Sequence, residues 1–225
     1  MRDANYKFGV PAVTISLPDP GQPNRDFERP ADRAHLERTA AALASRGFDV
    51  QIADSAKEAR RLVLEKIPEG AQVHTALSET MRELGIAAEL NDSGRYESIR
   101  SQLNTLDRET QGREMRKLAA APDYVIGSAH AVTDAGEIIV GSGSGSQLGA
   151  YAYAGGHVIL VIGHQKLVRD IDEGLRRVRE YSLPLEHVRM QSLGRPGSLL
   201  AKTLIISYEP SARISVILVP ETLGF

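Results

Sequence analysis

The chain predicts an α/β fold, a Rossmann-like three-layer α/β/α arrangement around a largely parallel sheet, and three features of the sequence carry that expectation. Short runs of β-branched and aliphatic residues alternate with longer stretches of good helix formers, the rhythm of strand, crossover helix and strand. Glycine or proline bounds most of those runs, as turns require. The 225 residues, 42% of them apolar, are enough to bury the core of one domain. That domain is expected over residues 31–225, with residues 1–30 as an extended N-terminal arm.

The arm follows from Pro11, Pro18, Pro20, Gly21, Pro23 and Pro30, which interrupt helices and leave room for one short strand at Val13 to Leu17. Ala31 to Arg46 is helical and Gly47 stops it. Phe48, Val50 and Ile52 alternate with polar residues as a strand, and Asp54 or Ser55 then caps a helix running to about Ile67, ended by Pro68 and Gly70. Ala71 to Ala76 is the next strand, followed by a helix that carries Met81 and Leu84 and stops at Gly85. Asn91 to Gln111 is a connecting, partly helical region, and Arg113 to Ala121 is helical. Tyr124 to Ile126, Glu137 to Val140 and His157 to Ile162 are strands rich in β-branched residues. Val168 to Tyr181 makes a helix. Leu204 to Ser207 and Ile214 to Val219 form a strand pair around Glu209-Pro210-Ser211 and can add an antiparallel edge. No internal repeat is visible, and Gly141 to Ser146 is the one low-complexity stretch.

Composition excludes several functions. A net charge of −2 with dispersed basic residues offers nothing to nucleic acid or an anionic membrane. The absence of cysteine removes disulfides, thiolate zinc sites, cysteine nucleophiles and an iron–sulfur cluster held by the chain itself. No apolar run approaches the roughly 20 residues that span a bilayer, so a cytoplasmic protein is expected. His74, His157 and His164 lack a compact metal spacing, and no Gly-x-Ser-x-Gly elbow marks a serine nucleophile. Neither a metal nor an intrinsic cofactor is expected.

Four stretches could hold chemistry, each with a plainer explanation beside it. Gly141, Ser142, Gly143, Ser144 and Gly145 follow a strand and can point backbone N–H groups at an anion; an ordinary flexible connection has the same composition. The run fails the dinucleotide fingerprint, which wants Gly where Ser146 stands, and no Gly-Lys-Ser/Thr follows as in a phosphate loop. Ser78, Glu79 and Thr80 sit where a strand becomes a helix and could hold a carboxylate or phosphate, or Ser78 could simply cap the helix. His130, Asp134 and Glu137 supply an imidazole and two carboxylates for proton transfer, although Thr133-Asp134-Ala135-Gly136 also reads as a hairpin turn. His164, Gln165 and Lys166 follow an apolar run, where a strand end would expose a cation and an imidazole to a ligand, although a solvated loop is the simpler explanation of the same residues.

Three segments together resemble the LUD domain family of the lactate-utilisation B and C proteins. Ser78-Glu-Thr-Met-Arg-Glu-Leu-Gly85 is similar to its Ser-x-Thr-x-x-x-Leu-Gly segment. Gly127-Ser-Ala-His-Ala-Val-Thr-Asp-Ala-Gly136-Glu-Ile-Ile-Val140 resembles its Ala-x-x-x-Gly-x-hydrophobic signature. His157-Val-Ile-Leu-Val-Ile-Gly163 with Lys166-Leu-Val168 resembles its next strand and Gly-x-x-Lys-hydrophobic-Val end, so that the resemblance spans about Ala71 to Tyr181. It implies a fold related to glucosamine-6-phosphate deaminase, ribose-5-phosphate isomerase and coenzyme A transferases, whose ligands are phosphorylated or acyl-carrying.

The leading expectation is a small-molecule protein that holds an anion with the amides of Gly141 to Gly145 and Ser78 to Thr80, balanced by Lys166, as an accessory or subunit of lactate or organic-acid utilisation. The alternative is a stand-alone enzyme on a sugar phosphate or acyl thioester, with Glu137 or Asp134 as base or nucleophile and His130 as proton carrier. The partners named by these readings are a small anionic ligand, iron–sulfur proteins of an organic-acid oxidising complex, and a second copy of the chain if it self-associates.

Overall fold

The computed structural model describes residues 17–107 and 109–225. The strand expected at Val13 to Leu17 falls, except for Leu17, outside the described residues. Further along that stretch a 3-10 turn at Arg25–Glu28 is tied down by Asn24, whose N–H donates to the Glu180 carbonyl at 2.8 Å.

Local rules explain the first elements. Asp32 accepts a hydrogen bond from the His35 amide and so starts α1 (Arg33–Ser45), which buries Leu36 and Leu43. Gly47 ends it with φ +90°, and a Cβ there would lie 2.3 Å from the Glu209 carbonyl oxygen, so both conformation and space demand glycine. β1 (Asp49–Ile52) follows, and the Ser55 hydroxyl caps α2 (Ala56–Glu65) through the Glu58 amide. Next come β2 (Gln72–Thr75), α3 (Glu79–Glu83) and α4 (Ile86–Asp92). The region expected to be partly helical holds the short β3 (Glu97–Ser98) and α5 (Ile99–Asn104), capped by Ser98. α6 (Gly112–Ala120) leads to β4 (Tyr124–Gly127), then β5 (Ala131–Thr133), β6 (Ile138–Ser142), β7 (His157–Gly163) and β8 (Leu167–Val168). The chain continues through α7 (Ile171–Arg177), α8 (Leu183–Ser192), β9 (Lys202–Ile206) and β10 (Ile214–Val219).

Six strands form a wholly parallel sheet in the order β1-β10-β7-β4-β2-β3. Its central strands are apolar on both faces. In β7, Val158, Leu160 and Ile162 join a core shared with α1 and the second sheet, whereas Ile159 and Val161 pack with residues of α2, α3 and α4. Burial on both sides is what a parallel sheet between two layers requires, and each large aliphatic side chain so buried contributes roughly 1.5–3 kcal/mol of transfer free energy.

The second sheet, β8-β5-β6-β9, holds the antiparallel pairing. Leu204 to Ser207 and Ile214 to Val219 do not pair with each other. β9 runs antiparallel to β6, while β10 lies between β1 and β7. Burial decides this: β10 is hidden along almost its whole length and needs a central place, but β9 keeps Lys202, Thr203 and Ile205 exposed and suits an edge. The hairpin reading of Thr133-Asp134-Ala135-Gly136 is what the structure contains. Gly136 has φ +89°, and its amide donates to the Thr133 carbonyl at 2.8 Å between β5 and β6.

The helix expected from Val168 to Tyr181 begins later, because Val168 is taken into β8 and Asp170 caps α7 by accepting from the Glu173 amide. It also does not stop at Tyr181. A π-helical turn at Val178–Ser182 continues into α8, with Pro184 at its start, where a missing N–H breaks no helical ladder.

Candidate functional site

Ligands of parallel α/β sheets sit beyond the carboxyl ends of the strands. Here the exits of β2, β4 and β7, together with the end of β6 and the loop before β9, surround a cavity of about 400 Å³. Ser78, Glu79 and Thr80 reach it from β2, His130 from β4, Lys166 from β7, and Gly141, Ser142, Gly143 and Ser144 from β6. The two stretches singled out as anion holders therefore face the same space. Gly145, His164, Asp134 and Glu137 do not line it.

Lys166 dominates the electrostatics. It is 1% exposed, and its Nζ donates to Thr80 Oγ1 at 2.9 Å and to Ser128 Oγ at 3.1 Å. No carboxylate of the described residues forms an ion pair with it. Burial, helped by the nearby Arg177 guanidinium and only partly opposed by the Glu83 carboxylate, pushes its pKa down to about 7 from 10.5. Arg177, fully buried behind the cavity, also has no acid: its guanidinium donates to the carbonyls of His130 and Gln165 and to Ser182 Oγ, leaving Nη2 without an acceptor. Burial pushes its pKa down to about 10.

His130 is a partly buried, neutral imidazole. Its Nδ1 accepts from the Gly141 amide at 3.1 Å, which leaves the proton on Nε2. Burial first, then Lys166 and Arg177, push its pKa down to about 3. The proposed catalytic carboxylates are used elsewhere. Glu137 accepts from Arg46 at 2.9 Å and from the Thr133 hydroxyl, joining the hairpin to α1. Asp134 lies on the same turn and meets His35 at 2.5 Å with half of its side chain exposed. Both carboxylates serve the turn, and neither faces the cavity. His164 is partly exposed, with Nε2 3.3 Å from the Thr222 hydroxyl.

The glycine-serine run is narrower as a donor set than its sequence suggests. Gly141 and Ser142 belong to β6, the Gly141 amide serves His130, and the Gly145 amide donates to Ser142 Oγ at 2.9 Å. The Ser146 amide is likewise given to Ser144 Oγ at 3.3 Å. Gly143 and Ser144 keep amides not committed within the described residues. Gly141 is glycine for packing reasons, since a Cβ would come within 2.8 Å of Val178 and 2.9 Å of Leu200. Ser78 makes no capping hydrogen bond to α3, so capping does not account for it. Glu79 is neutralised by Arg82 at 2.6 Å and Arg189 at 3.4 Å.

Sequence reasoning overlooked four groups at the site. His74, at the end of β2, is 2% exposed with an unpartnered Nδ1, and burial beside Arg100 pushes its pKa down to about 4. Ser128 follows β4, and the strand-exit rule that selected Ser78 would have found both. Arg177 and Tyr151 carried no signal, because each lies in an ordinary-looking helical stretch. Burial pushes the Tyr151 phenol upward. Among the described residues no three His, Asp or Glu side chains gather as a metal-binding group, and no helix is long and apolar enough to cross a membrane.

No curated protein matches the chain. Among solved structures it is similar to a DUF162 family protein from Deinococcus radiodurans, with 18% identity and a TM-score of 0.50 over 84% of this chain and 99% of that one. It also shares 18% identity with eIF2B beta from Chaetomium thermophilum, at a TM-score of 0.37 over 55% of this chain and 42% of that one. The former likeness is one of fold. The LUD domain model matches residues 36–217, well over half of the sequence, and the chain belongs to the LUD domain family.

Proposed function

We propose that this LUD-domain protein binds a small anionic ligand in the cavity at the ends of β2, β4 and β7, as an accessory or subunit of lactate or organic-acid utilisation. One observation carries the reading: Arg177, a buried cation behind the cavity wall, has no carboxylate partner, and Lys166 in that wall is hydrogen-bonded to hydroxyls alone. Burying a charge without compensation costs several kcal/mol, and an anion entering beside such groups relieves that penalty. The free amides of Gly143 and Ser144 add donors, and about 400 Å³ suits a small metabolite. Iron–sulfur partner proteins belong to this reading, since a chain without cysteine would rely on others for electron transfer.

A second reading, an enzyme acting on a sugar phosphate or acyl thioester, is favoured by Lys166 and not by Glu137 or Asp134, which serve the hairpin. Binding is tested by thermal unfolding with phosphate, lactate, pyruvate, sugar phosphates and coenzyme A esters. At least one anion should stabilise the wild type, by about 2.7 kcal/mol at 100 times its Kd, and should lose most of that effect on Lys166→Met. An unfolding temperature indifferent to the whole panel overturns the reading.

A further inference from the structure

The hydrogen bonds around Lys166 say more than that a cation is buried there. Thr80 Oγ1 has the Leu223 carbonyl as its nearer acceptor at 3.1 Å, with Ser128 Oγ farther at 3.5 Å, and Ser128 Oγ donates to the Ala129 carbonyl at 3.2 Å. Both hydroxyls therefore act as acceptors toward Nζ, at 2.9 and 3.1 Å. A neutral amine has two hydrogens and satisfies both acceptors. Its remaining tetrahedral position carries a lone pair, and Lys166 lines the cavity. An ammonium would bring a third hydrogen with no acceptor within the described residues. The depressed pKa agrees with the geometry.

An amine held in this form beside groups that attract anions is arranged for a carbonyl carbon attached to an anionic group. We infer that Lys166 forms an imine with an anionic ketone or aldehyde, a keto acid or a keto phosphate, bound in the cavity. This rests on the anion-binding reading and adds a covalent step to it. The nitrogen lone pair attacks the carbonyl carbon, the C=O π bond breaks and its oxygen is protonated. From the resulting carbinolamine the hydroxyl leaves as water with the second amine hydrogen, and the C=N bond forms. The carbonyl oxygen and both amine hydrogens thus depart as one water, with no change of oxidation state and no co-reactant. Thr80 and Ser128, already bonded to those hydrogens, are placed to pass them on.

The test is reductive trapping. The full chain is incubated with pyruvate or with dihydroxyacetone phosphate in the presence of cyanoborohydride, with lactate and inorganic phosphate as controls that lack a carbonyl. Intact mass and peptide mapping then locate any reduced adduct. The expected result is a single adduct per chain on Lys166 with at least one of the two carbonyl probes, none with the controls, and loss of that adduct in Lys166→Arg. Which probe reacts distinguishes the keto acid from the keto phosphate. Mapping on the wild type keeps the test valid even if the variant folds poorly. Adducts scattered over surface lysines, or no adduct with either probe, overturn the imine. If in the latter case the same probes still raise the unfolding temperature, the imine alone has failed; if they do not and no other anion does, the anion-binding reading has failed with it.

Discussion

Arg213 and Lys166 sit at opposite ends of the parallel sheet, and their surroundings are built on opposite principles. Arg213, just before β10, pairs with Glu209 at 3.1 Å and donates to the carbonyls of Ala150, Tyr151 and Gly155, so that its charge and both terminal nitrogens are answered by the protein. Lys166, just after β7, has two hydroxyls and no ion pair, only the weaker pull of Glu83, and the unanswered cation of Arg177 lies nearby. The first arrangement fixes the π-helical turn at Ala150–Ala154 against the sheet. The second leaves an electrostatic deficit beside a cavity. Since a complete buried ion pair is within this chain's repertoire, the incomplete one points to a role outside folding.

Breaking the complete pair has the largest expected effect on stability. Arg213→Met leaves Glu209, 6% exposed, as a buried carboxylate without its cation and removes the donors to three carbonyls, and should lower unfolding free energy by about 3 kcal/mol in urea titration. A loss below about 1 kcal/mol would erase the contrast between the two ends of the sheet. A smaller effect sharpens it from the other side. Glu137→Gln removes the ion pair with Arg46 at the hairpin, should cost about 1 kcal/mol, and should leave ligand-induced stabilisation unchanged, because the residue does not face the cavity. A ligand response abolished in Glu137→Gln would restore that carboxylate to the site.

The same contrast explains which parts of the molecule could be read from sequence. Elements with local signals were legible: the cap at Asp54 or Ser55, the Gly47 stop, the apolar run of β7 and the Gly136 turn each follow from residues within a few positions. Partners set by distant burial were not, which is why the last two strands seemed to pair and instead entered different sheets. At the site, the sequence pointed to Ser78 to Thr80, Lys166 and the Gly141 to Gly145 run, all of which except Gly145 the fold brings to one cavity. It could not show that Glu137 belongs to Arg46, 91 residues earlier in the chain, or that Arg177 lies behind Lys166. Composition shows which charges exist, whereas only folding shows which remain unpaired.

The most direct test compares stability against pH for the wild type and Lys166→Met. Lys166 is held near 7 when folded against about 10.5 when unfolded, so between those values the unfolded chain binds the extra proton. The wild type should gain stability relative to the variant as pH rises from about 7 to 10.5, by more than about 1 kcal/mol, the equivalent of a single pKa unit being about 1.4 kcal/mol. Parallel curves across that interval would mean that Lys166 keeps an ordinary ammonium in the folded protein, and would contradict the account.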